Sequence, residues 1–202
     1  MIVLNTRAGR QYTVILLYCD ARDMDETKAI FPARSKQPGS AFAVSLLYVA
    51  VQRIGMSTLP QIERDNKGKP FFPDFPEVHF SLSHSKGHIL CALGNLPVGC
   101  DIERRRQLVK NTEKKLMSQS EMRNFNFFEL WTLRESFYKL TGRGNLRNIR
   151  FSFKNGVLRS PESDVSCRVY REIDGVLAAV CSYEKELPEK LEFIDVNQLF
   201  SS

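Results

Sequence analysis

Two short stretches carry side chains whose types and spacing could do chemistry. In Val98-Gly99-Cys100-Asp101-Ile102-Glu103, apolar Val98, Cys100 and Ile102 alternate with Gly99, Asp101 and Glu103, which reads as a strand. Side chains two apart on a strand share a face, so Asp101 and Glu103 point the same way. Two carboxylates that close repel unless a positive group lies between them, and a hard divalent cation is the usual solution. The second stretch is Trp131-Thr132-Leu133-Arg134-Glu135-Ser136-Phe137-Tyr138-Lys139. Leu130, Leu133, Phe137 and Leu140 form an apolar helical stripe, while Glu135 and Lys139, four apart, share another face. A third carboxylate beside the strand pair would complete a magnesium site, and the lysine would suit a phosphate.

Each motif alone also fits a plainer role. An Asp-x-Glu on a strand is more often a solvated edge, and a Glu–Lys pair four apart on a helix is usually a surface ion pair. Their company in one chain favours the chemical reading.

The composition bounds what the chain can be. Its 202 residues suit one domain or two small ones, and 43% hydrophobic with 26% charged residues is ordinary for a soluble globular protein. A net charge of +6 favours an acidic partner: nucleic acid, anionic lipid, a phosphate-rich ligand or an acidic protein. The five cysteines are scattered, without a Cys-x-x-Cys pair, which argues for free thiols in a reducing compartment. No signal-peptide core follows the N-terminus, and the longest apolar run, 41–51, is too short to span a bilayer. The expectation is a cytoplasmic protein without a membrane role.

The elements that must position these residues follow from pattern. Strands are expected over 12–19, 62–65, 78–82, 88–93 and 98–103, with a polar turn at 83–87. A short helix is expected over 23–31, and a strong one over 41–54 with Ser40 as its cap and Gly55 as its stop. Ser118 and Glu121 fit a capping box, and the helix bearing Glu135 should run over 127–140. Strands over 149–153, 157–158, 167–173, 176–183 and 191–196 follow, two turns being marked by Asn155-Gly156 and Asp174-Gly175. Strand, helices and antiparallel strands occur in that order in 12–93 and again in 98–183. The reading is an α+β fold of two similar halves, 1–96 and 97–202, joined near Leu96-Pro97.

Four ordered motifs then stand out: Gly68-Lys69-Pro70, Phe80-Ser81-Leu82-Ser83-His84-Ser85, Gly99-Cys100-Asp101-Ile102-Glu103, and the stretch from Trp131 to Lys139. Together they resemble the 4′-phosphopantetheinyl transferases of the surfactin-synthetase-activating type. The resemblance covers about residues 60–145 well and the flanks weakly. It implies a monomer of two pseudo-twofold α+β halves with antiparallel sheets packed by helices. It also implies an Mg²⁺-dependent enzyme that transfers the phosphopantetheine arm of coenzyme A to a serine of an apo carrier protein, releasing 3′,5′-ADP.

By the same resemblance Asp101, Glu103 and Glu135 hold Mg²⁺, with Glu135 also a base for the incoming serine. Lys139 and Arg134 pair with the diphosphate, and His84 contacts the 3′-phosphate. Lys69 and Ser83 lie near the adenosine end, with His84 and Lys69 in one pocket. The family's arginine in the first-half helix has no counterpart within 41–51, and Arg34 and Lys36 are the nearest substitutes. Arg104, Arg105, Arg106, Lys110, Lys114 and Lys115 form a basic run beside the metal strand, suited to steer an acidic carrier, with the Phe125–Phe128 cluster as apolar anchors.

Two other functions fit parts of this pattern. A metal-dependent nuclease would use Asp, Glu and Lys about a divalent ion, but one common core of that kind needs Glu-x-Lys on a strand. A nucleic-acid-binding module would use the basic run and leave Asp101, Glu103 and Glu135 unexplained. The expectation is therefore a transferase without a nucleic-acid partner.

Overall fold

The apolar run Ile15–Asp20 forms strand β1 in the protein's structure, a computed structural model that describes residues 13–33 and 39–200. Helix α1 is Ser40–Arg53, and a small hairpin pairs β2, Glu63–Arg64, with β3, Pro70–Phe71. Strands β4, His79–Ser85, and β5, His88–Gly94, form a long hairpin, followed by β6, Val98–Arg104. Short helices α2, Thr112–Leu116, and α3, Gln119–Asn124, lead to α4, Phe127–Thr141. Then come β7, Ser152–Lys154, and β8, Val157–Arg159, as one hairpin, and β9, Ser166–Tyr170, with β10, Val176–Ser182, as another. A two-residue strand β11, Glu192–Phe193, closes the series.

Two sheets organise the chain. The first has the order β11-β1-β5-β4 and the second β6-β10-β9. In each half the opening strand pairs antiparallel with the last strand of the following hairpin, so β1-β5-β4 repeats as β6-β10-β9. The expected α+β architecture with antiparallel sheets packed by helices is present.

Strand alternation explains the layers. On β1, Leu17 and Cys19 pack under α1, while Leu16 and Tyr18 face the second sheet. On β10, Leu177, Ala179 and Cys181 pack under α4, while Val176, Ala178 and Val180 face back. Side chains on alternate faces thus build three apolar cores: one under each helix and one between the sheets.

The seam between β4 and β6 is unusual in kind. The hydroxyls of Ser81, Ser83 and Ser85 accept hydrogen bonds from the backbone N–H groups of Cys100, Ile102 and Arg104 at 3.0, 3.3 and 3.3 Å. Side chains of one strand therefore satisfy the open edge of its neighbour, whose N–H groups would otherwise lack partners in a buried place.

Several expectations change. The helix expected over 23–31 is one 3₁₀ turn, Glu26–Lys28. Ser40 lies inside α1 and does not cap it; Gly39 takes the cap position at φ 93°, a left-handed conformation open to glycine. The capping oxygens come from Glu26, whose carboxylate accepts from the Gly39 and Ala41 N–H groups at 2.9 and 2.6 Å. The polar turn expected at 83–87 is only Lys86-Gly87, because the serines before it belong to the strand and are satisfied across the seam. The strand expected over 191–196 has two residues and pairs parallel with β1. The chain end thus returns to the first half, where Ile194 and Leu199 join the core under α1, so the boundary expected at 96–97 does not hold for this segment.

Candidate active site

Helix α4 is set by local chemistry at both ends. Asn126 and Glu129 form a capping box at its start, and Gly142 stops it with φ 60°. Its Leu130, Leu133, Phe137 and Leu140 stripe is buried against the second sheet. The helix crosses β6 at Gly99, where a Cβ would lie 2.1 Å from the Ser136 carbonyl oxygen and 2.4 Å from the Leu140 nitrogen. Only a residue without a side chain permits that approach, and it brings Glu135 and Lys139 down onto the strand carrying Asp101 and Glu103.

There the Lys139 ammonium donates to Asp101 Oδ1 at 2.8 Å, and the Ser83 hydroxyl donates to the same oxygen at 2.7 Å. Asp101 Oδ2 is buried with no hydrogen-bond partner. Glu103 Oε2 accepts from Ser85 Oγ at 3.2 Å and from Arg106 at 3.1 Å. Burial pushes the Glu135 carboxyl above its usual range, and the negative charges of Asp101 and Glu103 add to that while Lys139 opposes it. Burial works against the Lys139 charge, but Asp101, with Cys100 and Glu135, outweighs it and holds the ammonium above its ordinary value.

Glu135 therefore feels the charges of Asp101 and Glu103. Among the described residues no three His, Cys, Asp or Glu side chains already converge as a metal cage. The donor set nonetheless suits a hard cation: carboxylate oxygens, mutual repulsion, and one buried oxygen with an open valence. Asp101 Oδ2, Glu103 and Glu135 are the atoms and residues that would hold it.

The other expected site residues fall in different places. Arg134 is not presented to the acidic cluster: it is 1% exposed and donates to Glu121 Oε1 at 2.8 Å and to the carbonyls of Leu116 and Ile149 at 2.6 and 2.9 Å. Its neighbour in sequence, Glu135, faces elsewhere on the helix, and Arg134 makes a buried ion pair. Ser83 lies at Asp101. Lys69 donates to the Leu140 carbonyl at 3.0 Å and fastens the end of α4, while burial lowers its pKa. His84 opens instead on a cavity of about 480 Å³ lined by Met24, Glu26, Gly39, Phe42 and Lys86, and Lys69 is not among its walls. The two are thus not in one pocket. Burial lowers the His84 pKa, and Lys139 adds to that effect. Arg34 and Lys36 lie outside the described residues.

The Phe125–Phe128 cluster is not the exposed anchor expected. Phe125, Phe127 and Phe128 are all at least nine-tenths buried, Phe127 and Phe128 as the first residues of α4 and Phe125 just before it, in the core beneath that helix. The most exposed apolar side chain beside the basic run is Val109, 81% exposed, on the rim of a groove of about 560 Å³ that Phe127 and Phe128 line together with Arg105, Arg106, Lys110 and Lys114.

Residues 97–184, which carry every member of the acidic cluster, match the family model described as the 4′-phosphopantetheinyl transferase superfamily. The 4′-phosphopantetheinyl transferase psf-1 of Bacillus pumilus is 30% identical over 69% of this chain and 67% of that protein. The chain belongs to the 4′-phosphopantetheinyl transferase superfamily. The transferase is also similar to 4′-phosphopantetheinyl transferase Sfp of Bacillus subtilis strain 168, 29% identical over 65% of this chain and 67% of that one. Likeness to the 4′-phosphopantetheinyl transferase gsp of Aneurinibacillus migulanus is higher, 41%, but covers 40% of this chain and 38% of the relative. Among the described residues no helix of the transferase is long and apolar enough to cross a membrane.

Sequence reasoning missed Glu26 and Ser85. Glu26 gives no signal, because its capping role depends on residues more than a turn away. Ser85 has one: three serines at alternate positions just before a two-residue turn mark one polar face of a strand.

Proposed function

We propose that this transferase moves the 4′-phosphopantetheine arm of coenzyme A onto a serine of an apo carrier protein, with Asp101, Glu103 and Glu135 holding Mg²⁺. The observation that carries the site assignment is the buried, unpartnered Asp101 Oδ2 beside Glu135, whose carboxyl is pushed up by burial and by the charges of Asp101 and Glu103. When bound there, Mg²⁺ would neutralise the diphosphate and align its oxygens, the usual part of a metal ion in phosphoryl transfer.

This chain's residues supply the rest. Glu135, held above an ordinary carboxylate by burial, is the stronger base for it and takes the proton of the serine hydroxyl. The serine oxygen bonds to the phosphorus that bears the pantetheine arm. The bond from that phosphorus to the bridging oxygen breaks, and 3′,5′-ADP leaves with the electron pair. Lys139 meets the charge that develops on the diphosphate oxygens. Ser83 orients Asp101 by occupying Oδ1. His84 and Lys86, at the cavity beside α1, receive the 3′-phosphate. The nucleotide side thus belongs to the first half and the acidic residues to the second.

The groove after β6 is the docking face for the carrier. Its rim of Arg105, Lys110 and Lys114 suits an acidic partner, and Val109 supplies an exposed apolar contact. We place the reaction in the cytoplasm, carried out by a monomer; buried free thiols suit a reducing compartment.

Incubating apo acyl and peptidyl carrier proteins with the transferase, coenzyme A and Mg²⁺ tests this by intact mass. Gain of one phosphopantetheine per carrier with matching 3′,5′-ADP, abolished by chelator, is expected. Undiminished modification in chelator would remove the metal assignment, and no modification of any carrier would remove the function.

A further inference from the structure

The transferase keeps five cysteines as free thiols, and two of them stand apart from the others in their placement. Cys19, Cys91 and Cys100 are buried singly in apolar cores. Cys167 on β9 and Cys181 on β10 are directly opposed across the antiparallel pair. Opposed Cα atoms on such strands are about 4.5–5.5 Å apart, inside the ~4.4–6.8 Å range that a disulfide spans. Their sulfurs are in direct contact, 2.8 Å apart.

The surroundings give the two thiols different parts. Cys167 is on the outer strand of its sheet and partly exposed, so a small reagent reaches it first. Cys181 is buried beneath α4, 3.9 Å from the Leu133 carbonyl, and opposes Gly99 on β6. Burial and the neighbouring Cys167 push its thiol well above the usual range, so it reacts only with what is placed directly against it. No proposed step of phosphopantetheine transfer uses either residue.

We infer that Cys167 and Cys181 are a reversible modification site, a dithiol that closes into a cross-strand disulfide by exchange with a low-molecular-weight disulfide such as oxidised glutathione. The Cys167 sulfur, deprotonated, attacks one sulfur of the reagent; the mixed disulfide forms and one small thiol leaves. Cys181 then loses its proton and attacks the Cys167 sulfur, and the second small thiol leaves. Two protein thiols are oxidised, one reagent disulfide is reduced to two thiols, and no other reactant enters.

The bond would pin the β9–β10 hairpin. That hairpin holds Arg171, whose guanidinium meets Glu129 at 2.6 Å, and Glu129 belongs to the capping box of α4. Oxidation thus fastens the strands on which the helix bearing Glu135 and Lys139 rests.

The test uses the whole folded protein incubated with oxidised glutathione, quenched in acid, alkylated with N-ethylmaleimide and analysed by intact mass and peptide mapping. Wild type should lose two alkylatable thiols, show a Cys167–Cys181 link reversed by dithiothreitol, and gain roughly 5–10 °C in Tm. Cys181→Ala should stop at a glutathione adduct on Cys167, and Cys167→Ser should take neither adduct nor link. Reduced thermal unfolding of both variants checks that each is folded. Five alkylatable thiols in oxidised wild type, a stable glutathione adduct on its Cys167, or a link between other cysteines would each overturn the inference.

Discussion

The Lys139 ammonium and the Asp101 carboxyl meet at 2.8 Å, joining a helix to a strand through the same side chain whose other oxygen has no partner. The lysine brings a positive charge to Asp101 within a cluster of three carboxylates, and Arg106 brings another to Glu103. Lys139→Met should therefore destabilise the protein by about 1–2 kcal/mol, a reduced value because 30% of the lysine side chain is exposed. Millimolar Mg²⁺ should restore more of the lost Tm in the variant than it adds to wild type. Equal Mg²⁺ responses would mean that cation and lysine do not share the cluster.

Glu135→Gln keeps the shape of the side chain and removes the base. Turnover with saturating carrier and coenzyme A should fall ~10²–10⁴-fold, the usual contribution of a positioned base, while Tm stays level or rises because burial opposes this charge. Turnover within a factor of two of wild type would assign the proton transfer to another group.

Ser83 separates two readings of the first-half motif. If it orients Asp101, Ser83→Ala lowers kcat ~10–100-fold, the range seen for groups that support metal ligands, and leaves the KM for coenzyme A near its original value. A nucleotide contact would do the reverse, raising KM and sparing kcat.

Arg134 separates a diphosphate contact from a buried ion pair. Arg134→Met leaves the 3%-exposed Glu121 carboxylate without its main partner, and a loss of about 3–5 kcal/mol is expected from breaking a buried pair. Thermal or urea unfolding measures it. Arg134→Lys, the milder change, should fold with a lowered Tm and an unchanged KM for coenzyme A. A raised KM in that variant would return Arg134 to the diphosphate.

Acid should weaken the fold through a buried histidine. His88 is 1% exposed, accepts or donates at Tyr18 Oη at 2.8 Å, and has its pKa lowered by burial. The unfolded chain thus binds a proton that the folded chain resists. Stability is full above the unfolded value near 6.5 and falls as pH drops through it, by up to about 1.4 kcal/mol per pH unit for one group. Urea midpoints at pH 7.5 and 5.5 should differ in wild type, and the difference should shrink in His88→Leu. An equal difference in that variant would place the linkage elsewhere.

Much of the site was legible because its carriers are strongly patterned. Strict alternation placed Asp101 and Glu103 on one side of β6, and the four-residue spacing placed Glu135 with Lys139. Arg134 misled for a geometric reason: residues adjacent in a helix diverge by about a quarter turn and face different surroundings. The serine seam was hidden because hydroxyls at alternate positions read as a turn until a neighbouring edge is known. Cap donation from Glu26 to α1 joins residues distant in sequence, which no local pattern reports.

The return of β11 to β1 has a consequence for how the chain assembles. Leu17 and Tyr18 take their partners from Glu192 and Phe193, and Leu199 completes the core under α1. During synthesis the opening strand is therefore made first and bordered last, its outer edge open while nearly the whole polypeptide emerges. The β9–β10 hairpin can pair with β6 before that, since all of that pairing lies within residues 98–182, although the Ser166 and Tyr170 side chains take partners from Lys185 and Pro188. Long-range closure of this kind is slow, and an open edge is prone to foreign pairing. A chain cut short of residue 192 would leave β1 without its parallel partner strand.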